Sequence, residues 1–202
     1  FAQAMENQQL MTIEQLEQIL LDYRCENNFT ASDMDALKSD DVDSILPLFL
    51  PVDSEAYYGI AGTAVRTLMR LVDTGLYPDK AYIMQKTEDE NGALQKVEGE
   101  KGFVSALGGK GNALQFTASV FGQEAFASVD EDALDAIGEL LNCINGLYVS
   151  ECKDGSSLEL MPPSFKTGIQ GFESRKMLVL PIHIKNDCVD LMIAIGDEIE
   201  MK

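Results

Sequence analysis

Basic residues are scarce: 15 lysines and arginines stand against 34 acids, giving a formal charge of −19, and His183 is the only histidine. Phosphate-rich polymers are held largely through Lys and Arg, so this balance argues against nucleic acid or an anionic membrane as a partner. A partner with a basic patch would instead be attracted. No apolar run approaches the ~20 residues of a membrane span and no signal peptide is visible, so the expectation is a cytoplasmic protein without membrane insertion. The four cysteines (Cys25, Cys143, Cys152, Cys188) show no C-x-x-C spacing. Cys143 and Cys152 on one helix would be separated by ~13 Å of rise, too far for a disulfide. Reduced thiols and no metal site are expected.

What is present suffices for one ordinary core, with 202 residues of which 46% are hydrophobic. The chain starts at Phe1 rather than Met, and the expectation is that it is part of something longer. Its first fifty residues hold ten acids and two bases, Arg24 and Lys38. In "MTIEQLEQILLDY", Thr12 and Gln15 have capping-box spacing, and Leu16, Ile19, Leu20 and Tyr23 form an apolar stripe. The run "SDDVDS" resembles a fragment of a calcium loop but lacks the central Gly and terminal Glu, and reads as a capped helix start. Residues 1–52 are therefore an acidic helical extension or linker, and residues 53–202 a separate domain.

That domain reads as helix, strands, helix, strands. The first long helix spans about Ser54 to Val72 and ends before Gly75 and Pro78. "KAYIMQKT", "GFVSALG" and "NALQFTASVF" read as strands, and "EDENGALQKVEGEKG" as an exposed loop. "GGKG" (Gly108–Gly111) would then lie between two strands, without the Lys-Ser/Thr pair of a phosphate loop, and reads as a turn. "VDEDALDAIGELLNCINGLYVSECKDG" is the second long helix, with Asp130 as its cap. "SSLELM", "RKMLVLPIHI" and "DCVDLMIAIG" read as strands, the last two joined at Asn186-Asp187. His183 is an ordinary strand residue in this reading. The fold class is α+β, a mixed sheet with two long helices packed on it.

At 100° per residue, Leu134, Ile137, Leu141, Ile144 and Tyr148 of the second helix form one stripe. Glu139 points away from it, with Asn142, Asp135 and Gly146 on the same outward face. A mid-helix Gly costs ~1 kcal/mol relative to Ala, and an exposed one returns no packing unless something approaches the backbone closely. That face reads as a docking surface.

The first helix carries a related segment. "EAYYGIAGTAV" from Glu55 and "ELLNCINGLYV" from Glu139 share Glu55/Glu139, Ile60/Ile144, Gly62/Gly146 and Val65/Val149, with Tyr58 standing where the second copy has Asn142. This repeat points to two related half-domains, only one of which keeps the Glu-x-x-Asn pair.

The pattern resembles the CheC/CheX/FliY family of chemotaxis phosphatases. Its signature is E-x-x-N on a long outward-facing helix with Gly four residues after the Asn, here Glu139, Asn142 and Gly146. "MPPSFKTG" (Met161–Gly168) stands where the family often has a Pro-initiated strand ending in Gly. The resemblance spans about Asp53 to Gly196 and is nearest to CheX, which has one active helix. Leu147 departs from the Asn that family members often place after the Gly.

The resemblance implies pseudo-twofold halves and removal of the phosphoryl group from the phospho-aspartate of a CheY-type response regulator. Asn142 would orient the attacking water and Glu139 would pair with a regulator lysine. Asp135 and Gly146 would take part in docking, and Glu55 with Tyr58 would form a degenerate second site. Mg²⁺ would be supplied by the regulator, with no cofactor in this chain. The resemblance also implies a homodimer, for which the apolar "MLVLPIHI" and "VDLMIAI" offer either a surface or simply core. The competing reading is a non-catalytic binding or assembly module. A third is the output half of a receiver-fused protein.

Overall fold

The computed structural model describes residues 11–39, 41–51, 53–152 and 157–202. Glu6, Asp40 and residues 153–155, the tail of the stretch read as the second long helix, lie outside them. The chain divides into two compact units, Phe1–Leu48 and Phe49–Lys202.

In the first unit, the Thr12 hydroxyl accepts from the Gln15 amide and the Gln15 side chain accepts from the Thr12 amide, starting helix α1 (Ile13–Asn27). Asn28 ends it in the left-handed conformation at φ 56°. Thr30 and Asp33 repeat the box at α2 (Ala31–Leu37), and Asp41 caps α3 (Val42–Ile45). The Asp-rich run thus serves a helix start.

In the second unit, helix α4 spans Glu55–Leu71. Strands β1 (Tyr77–Pro78), β2 (Tyr82–Lys86), β3 (Asn91–Glu98) and β4 (Phe103–Gly109) follow. Next come α5 (Asn112–Gly122), α6 (Glu131–Glu151), β5 (Glu159–Leu160), β6 (Ser164–Thr167), β7 (Phe172–Ile184), β8 (Asp187–Ile195) and β9 (Glu200–Met201).

All strand pairs are antiparallel, and the six main strands lie in the order β2-β7-β8-β4-β3-β6. Exchanging the strands that follow α4 (β2, β3, β4) for those that follow α6 (β6, β7, β8) reproduces the same order reversed. The expected pseudo-twofold is therefore present in the sheet, with its axis between β4 and β8. Helix α4 packs over β8, and α6 over β3 and β4. On the opposite face, Val104, Ala106, Met177, Val179, Met192 and Ala194 are closed over by Ile169, Phe172 and Ile199, so the sheet curls on itself. The apolar segments of β7 and β8 are buried within this one chain and act as core. Their turn is Lys185-Asn186, one residue earlier than expected, with Lys185 at φ 59°.

Two segments differ from the sequence reading. The stretch read as an exposed loop contains β3, whose Ala93, Gln95 and Val97 alternate into the core. A glutamine at a core position hid the period of two. "NALQFTASVF" is a helix, because Ala113, Leu114, Thr117 and Ala118 bury one face at helical spacing. "GGKG" consequently precedes a helix instead of joining two strands. The start of that helix is already taken, since the Asp187 carboxylate accepts from the Ala113 amide at 3.3 Å and lies where a Cβ on Gly111 would be.

Candidate functional site

Helix α6 starts where the Asp130 carboxylate accepts from the Ala133 amide at 3.0 Å, with Glu131 and Asp132 in the first turn favourable to its dipole. It buries more than the single stripe read from the sequence. Ala133, Gly138, Leu140 and Asn145 are buried alongside Leu134, Ile137, Leu141 and Ile144, while Tyr148 is half-buried. A narrow outward strip remains: Asp135 and Glu139 are exposed, and Asn142 and Gly146 are half-buried. Cys143 and Leu147 are exposed beside it.

The two glycines have different roles. A Cβ on Gly138 would lie 3.3 Å from Pro163 Cβ, so this glycine admits the segment before β6. A Cβ on Gly146 would meet only Leu160 Cδ2, at 3.9 Å. Packing accounts for the first and leaves the second unexplained.

Asn142 is anchored from beneath. Its Oδ1 accepts from Gln95 Nε2 at 2.8 Å, and the same nitrogen donates to the Met161 carbonyl at 2.8 Å. Gln95 Oε1 accepts from Asn145 Nδ2 at 2.8 Å, and that nitrogen also donates to Ser105 Oγ at 2.9 Å. Gln95, Ser105 and Asn145 are wholly buried, which polar groups tolerate when their hydrogen bonds are satisfied. The sequence reading missed this relay. The available signal was Asn145 itself, an amide one turn from Leu141 on the packed side of the helix.

Beside the strip, a groove of about 630 Å³ runs between α6 and α4, lined by Asn142, Cys143, Gly146 and Leu147 on one side and Arg66 and Arg70 on the other. Arg66 Nη2 donates to Thr63 Oγ1 at 3.3 Å. Two arginines from so small a basic complement make this groove locally less acidic than the rest of the protein.

In the first copy, Glu55 is exposed as the first residue of α4, Tyr58 is half-buried and Gly62 is buried, unlike Gly146. The structure thus places Glu139, Asn142, Gly146 and Asp135 together and leaves Glu55 and Tyr58 on another helix.

The remaining candidates lie elsewhere. His183 on β7 stacks on Tyr77 at 4.8 Å, with Nε2 3.4 Å from Asp79 Oδ2. A second concavity is lined by Tyr82, Lys86, Asp89, Lys110, Asp187, Cys188 and Asp190. Burial, reinforced by the charge of Asp89, pushes the Asp190 carboxyl up to about 6, and burial also raises Asp89. Burial, reinforced by the charges of Asp190, Asp187 and Asp79, pushes the Cys188 thiol up to about 12, so it stays protonated. All four cysteines are free thiols. Among the described residues no three His, Cys, Asp or Glu side chains gather to hold a metal, and no helix is long and apolar enough to cross a membrane.

Comparison with known proteins bears on the helix just described. Residues 92–183, which include Gln95, Glu139, Asn142 and Gly146, match the family model of the chemotaxis phosphatase CheX. Over that segment the chain is similar to CheX. A CheC-like superfamily protein from Shewanella sp. PV-4 shares the fold at TM-score 0.58 and 16% identity, over 72% of this chain and 99% of that one. CheX from Desulfovibrio desulfuricans does so at TM-score 0.59 and 14% identity, over 70% and 99%. CheX in the CheX–CheY–BeF3–Mg complex from Borrelia burgdorferi does so at TM-score 0.54 and 17% identity, over 70% and 97%. No curated protein matches the chain. These structures share the fold over 70–72% of the chain, and the family match, at residues 92–183, leaves the first fifty residues uncovered.

Proposed function

We propose that this CheX-like chain removes the phosphoryl group from the phospho-aspartate of a CheY-type response regulator. The observation that carries the reading is a carboxamide, Asn142, held on the outward strip of α6 beside an exposed Glu139, within the segment that matches the CheX model. Asn142 is the water-positioning group. With Oδ1 engaged by Gln95, its Nδ2 hydrogens and the second lone pair of Oδ1 remain to hold a water. That water attacks phosphorus while the P–O bond to the aspartate breaks, releasing inorganic phosphate and a free carboxylate. An uncharged amide does this without repelling the phosphoryl oxygens, and positioning is the contribution such chemistry needs from a second protein.

Glu139 is the docking residue, pairing with a lysine of the regulator. Asp135 extends the same acidic strip, and Gly146 allows close approach of the helix. Mg²⁺ belongs to the regulator. Tyr58 has no amide to offer, so α4 is inactive at the phosphoryl group.

The test is phosphate release from a phosphorylated CheY-type receiver with Mg²⁺, comparing the parent with Asn142→Ala. Acceleration by the parent alone supports the reading. A parent without effect on several receivers leaves the binding-module alternative.

A further inference from the structure

We propose that Gln95 is a positioning residue for Asn142, setting which atom of the carboxamide faces outward. This rests on the phosphatase reading above and extends it to a buried side chain.

A backbone carbonyl fixes the direction of every bond in the relay. Met161 O can only accept, so the Gln95 atom 2.8 Å from it must be the Nε2 donor. The same nitrogen lies 2.8 Å from Asn142, so the Asn142 atom facing it must be the acceptor, Oδ1. Gln95 Oε1 is left facing Asn145, which meets it with a donor, Nδ2, and Ser105 Oγ completes the set. A fixed carbonyl of the main chain therefore dictates, through one buried side chain, that Nδ2 of Asn142 points outward. Without Gln95 an amide can rotate by half a turn and present either group.

A second observation comes from the repeat. The first copy lacks both amides together: Tyr58 stands for Asn142, and Ala61, wholly buried, stands for Asn145. Strand β8, on which α4 packs, contributes Val189, Leu191 and Ile193, all apolar and buried. A buried polar network is not required to fill this kind of space, since an apolar set of similar volume serves stability as well or better. The half that keeps the outward amide is the half that keeps the buried one.

The experiment uses Gln95→Met, which preserves length and removes both donors. Its readouts are phosphate-release kinetics on a phosphorylated CheY-type receiver and the NMR order of the Asn142 side-chain amide. The expected result is kcat lower by about 10-fold or more with KM within about 2-fold, because displacement of a water-positioning group acts on the chemical step. The Asn142 amide, ordered in the parent, becomes mobile. Gln95→Glu places an acceptor beneath Asn142, turns its amide over, and lowers kcat similarly. Should Gln95→Met fail to fold, Asn145→Ala carries the test: it removes the bond behind Gln95, and a smaller fall in kcat with added Asn142 mobility is expected. A folded variant with unchanged kcat, or an Asn142 amide as mobile in the parent as in the variants, overturns the proposal. No phosphate release by the parent sinks the phosphatase reading alone, and the order comparison then decides the role of Gln95 by itself.

Discussion

The two long helices share a sequence motif and a symmetry-related place on one sheet, yet they differ in what lies beneath them. Helix α4 packs over the apolar β8, with buried Ala61 at the position of Asn145 and Tyr58 at the position of Asn142. Helix α6 has buried Asn145 over Gln95 and Ser105, and Asn142 above them. A polar column therefore runs through one half only: an outward amide, a buried amide, a glutamine on β3 and a fixed carbonyl. The motif on the surface is only the top of that column.

The comparison is broken most severely by placing an amide where α4 has none. Ala61→Asn puts an unpartnered carboxamide into a filled, apolar site, and about 3 kcal/mol of destabilisation is expected in urea unfolding. Adding Tyr58→Asn creates a second surface motif and no second active face, because nothing under α4 orients it. A gain of phosphate release by an otherwise inactive Asn142→Ala background carrying Tyr58→Asn would contradict this.

Much of the fold was legible because the long elements carried their own punctuation. Asp130 and Thr12 marked helix starts, and the Leu134/Ile137/Leu141/Ile144 stripe marked the face on the sheet. The internal repeat pointed to two related half-domains, and the strand order carries the matching twofold. What was hidden is instructive. Gln95 disguised β3 as a loop because a core glutamine breaks the apolar alternation by which strands are recognised. The β-favouring Phe, Thr and Val of "NALQFTASVF" were overridden by packing on neighbouring elements. Asn142 and Glu139 could be read from a wheel; the residue beneath Asn142 lies 47 positions away and needed the tertiary fold.

A second comparison is internal to the buried polar groups. The relay under Asn142 is uncharged and paired, whereas Asp89 Oδ2 is buried without a hydrogen-bond partner among the described residues, close to Asp190. The Asp190 carboxyl, raised to about 6, favours protonation in the folded state over the unfolded one. The folded state thus binds more protons between the ordinary carboxylate range and about 6, so this contribution is fully present at low pH and is lost as pH rises through about 6. Asp190→Asn should remove that slope and raise stability at pH 7 by about 2 kcal/mol, as read from urea midpoints across pH. A pH profile identical to the parent's would show that the acid pair carries no such linkage.

The smallest effect concerns the glycine that packing leaves unexplained. Gly146→Ala has room for its methyl group and should raise stability by up to ~1 kcal/mol in urea unfolding through helix propensity. It should also raise KM for the phosphorylated receiver if the helix must approach closely. An unchanged KM would remove Gly146 from the docking surface and leave Glu139 and Asp135 to define it.

Whether Asn142 positions the attacking water is decided by phosphate release from a phosphorylated CheY-type receiver in Mg²⁺, with parent and Asn142→Ala at matched folded concentration. Acceleration by the parent is expected and, for the variant, a rate indistinguishable from the receiver alone while binding persists through Glu139. A variant as fast as the parent would contradict it.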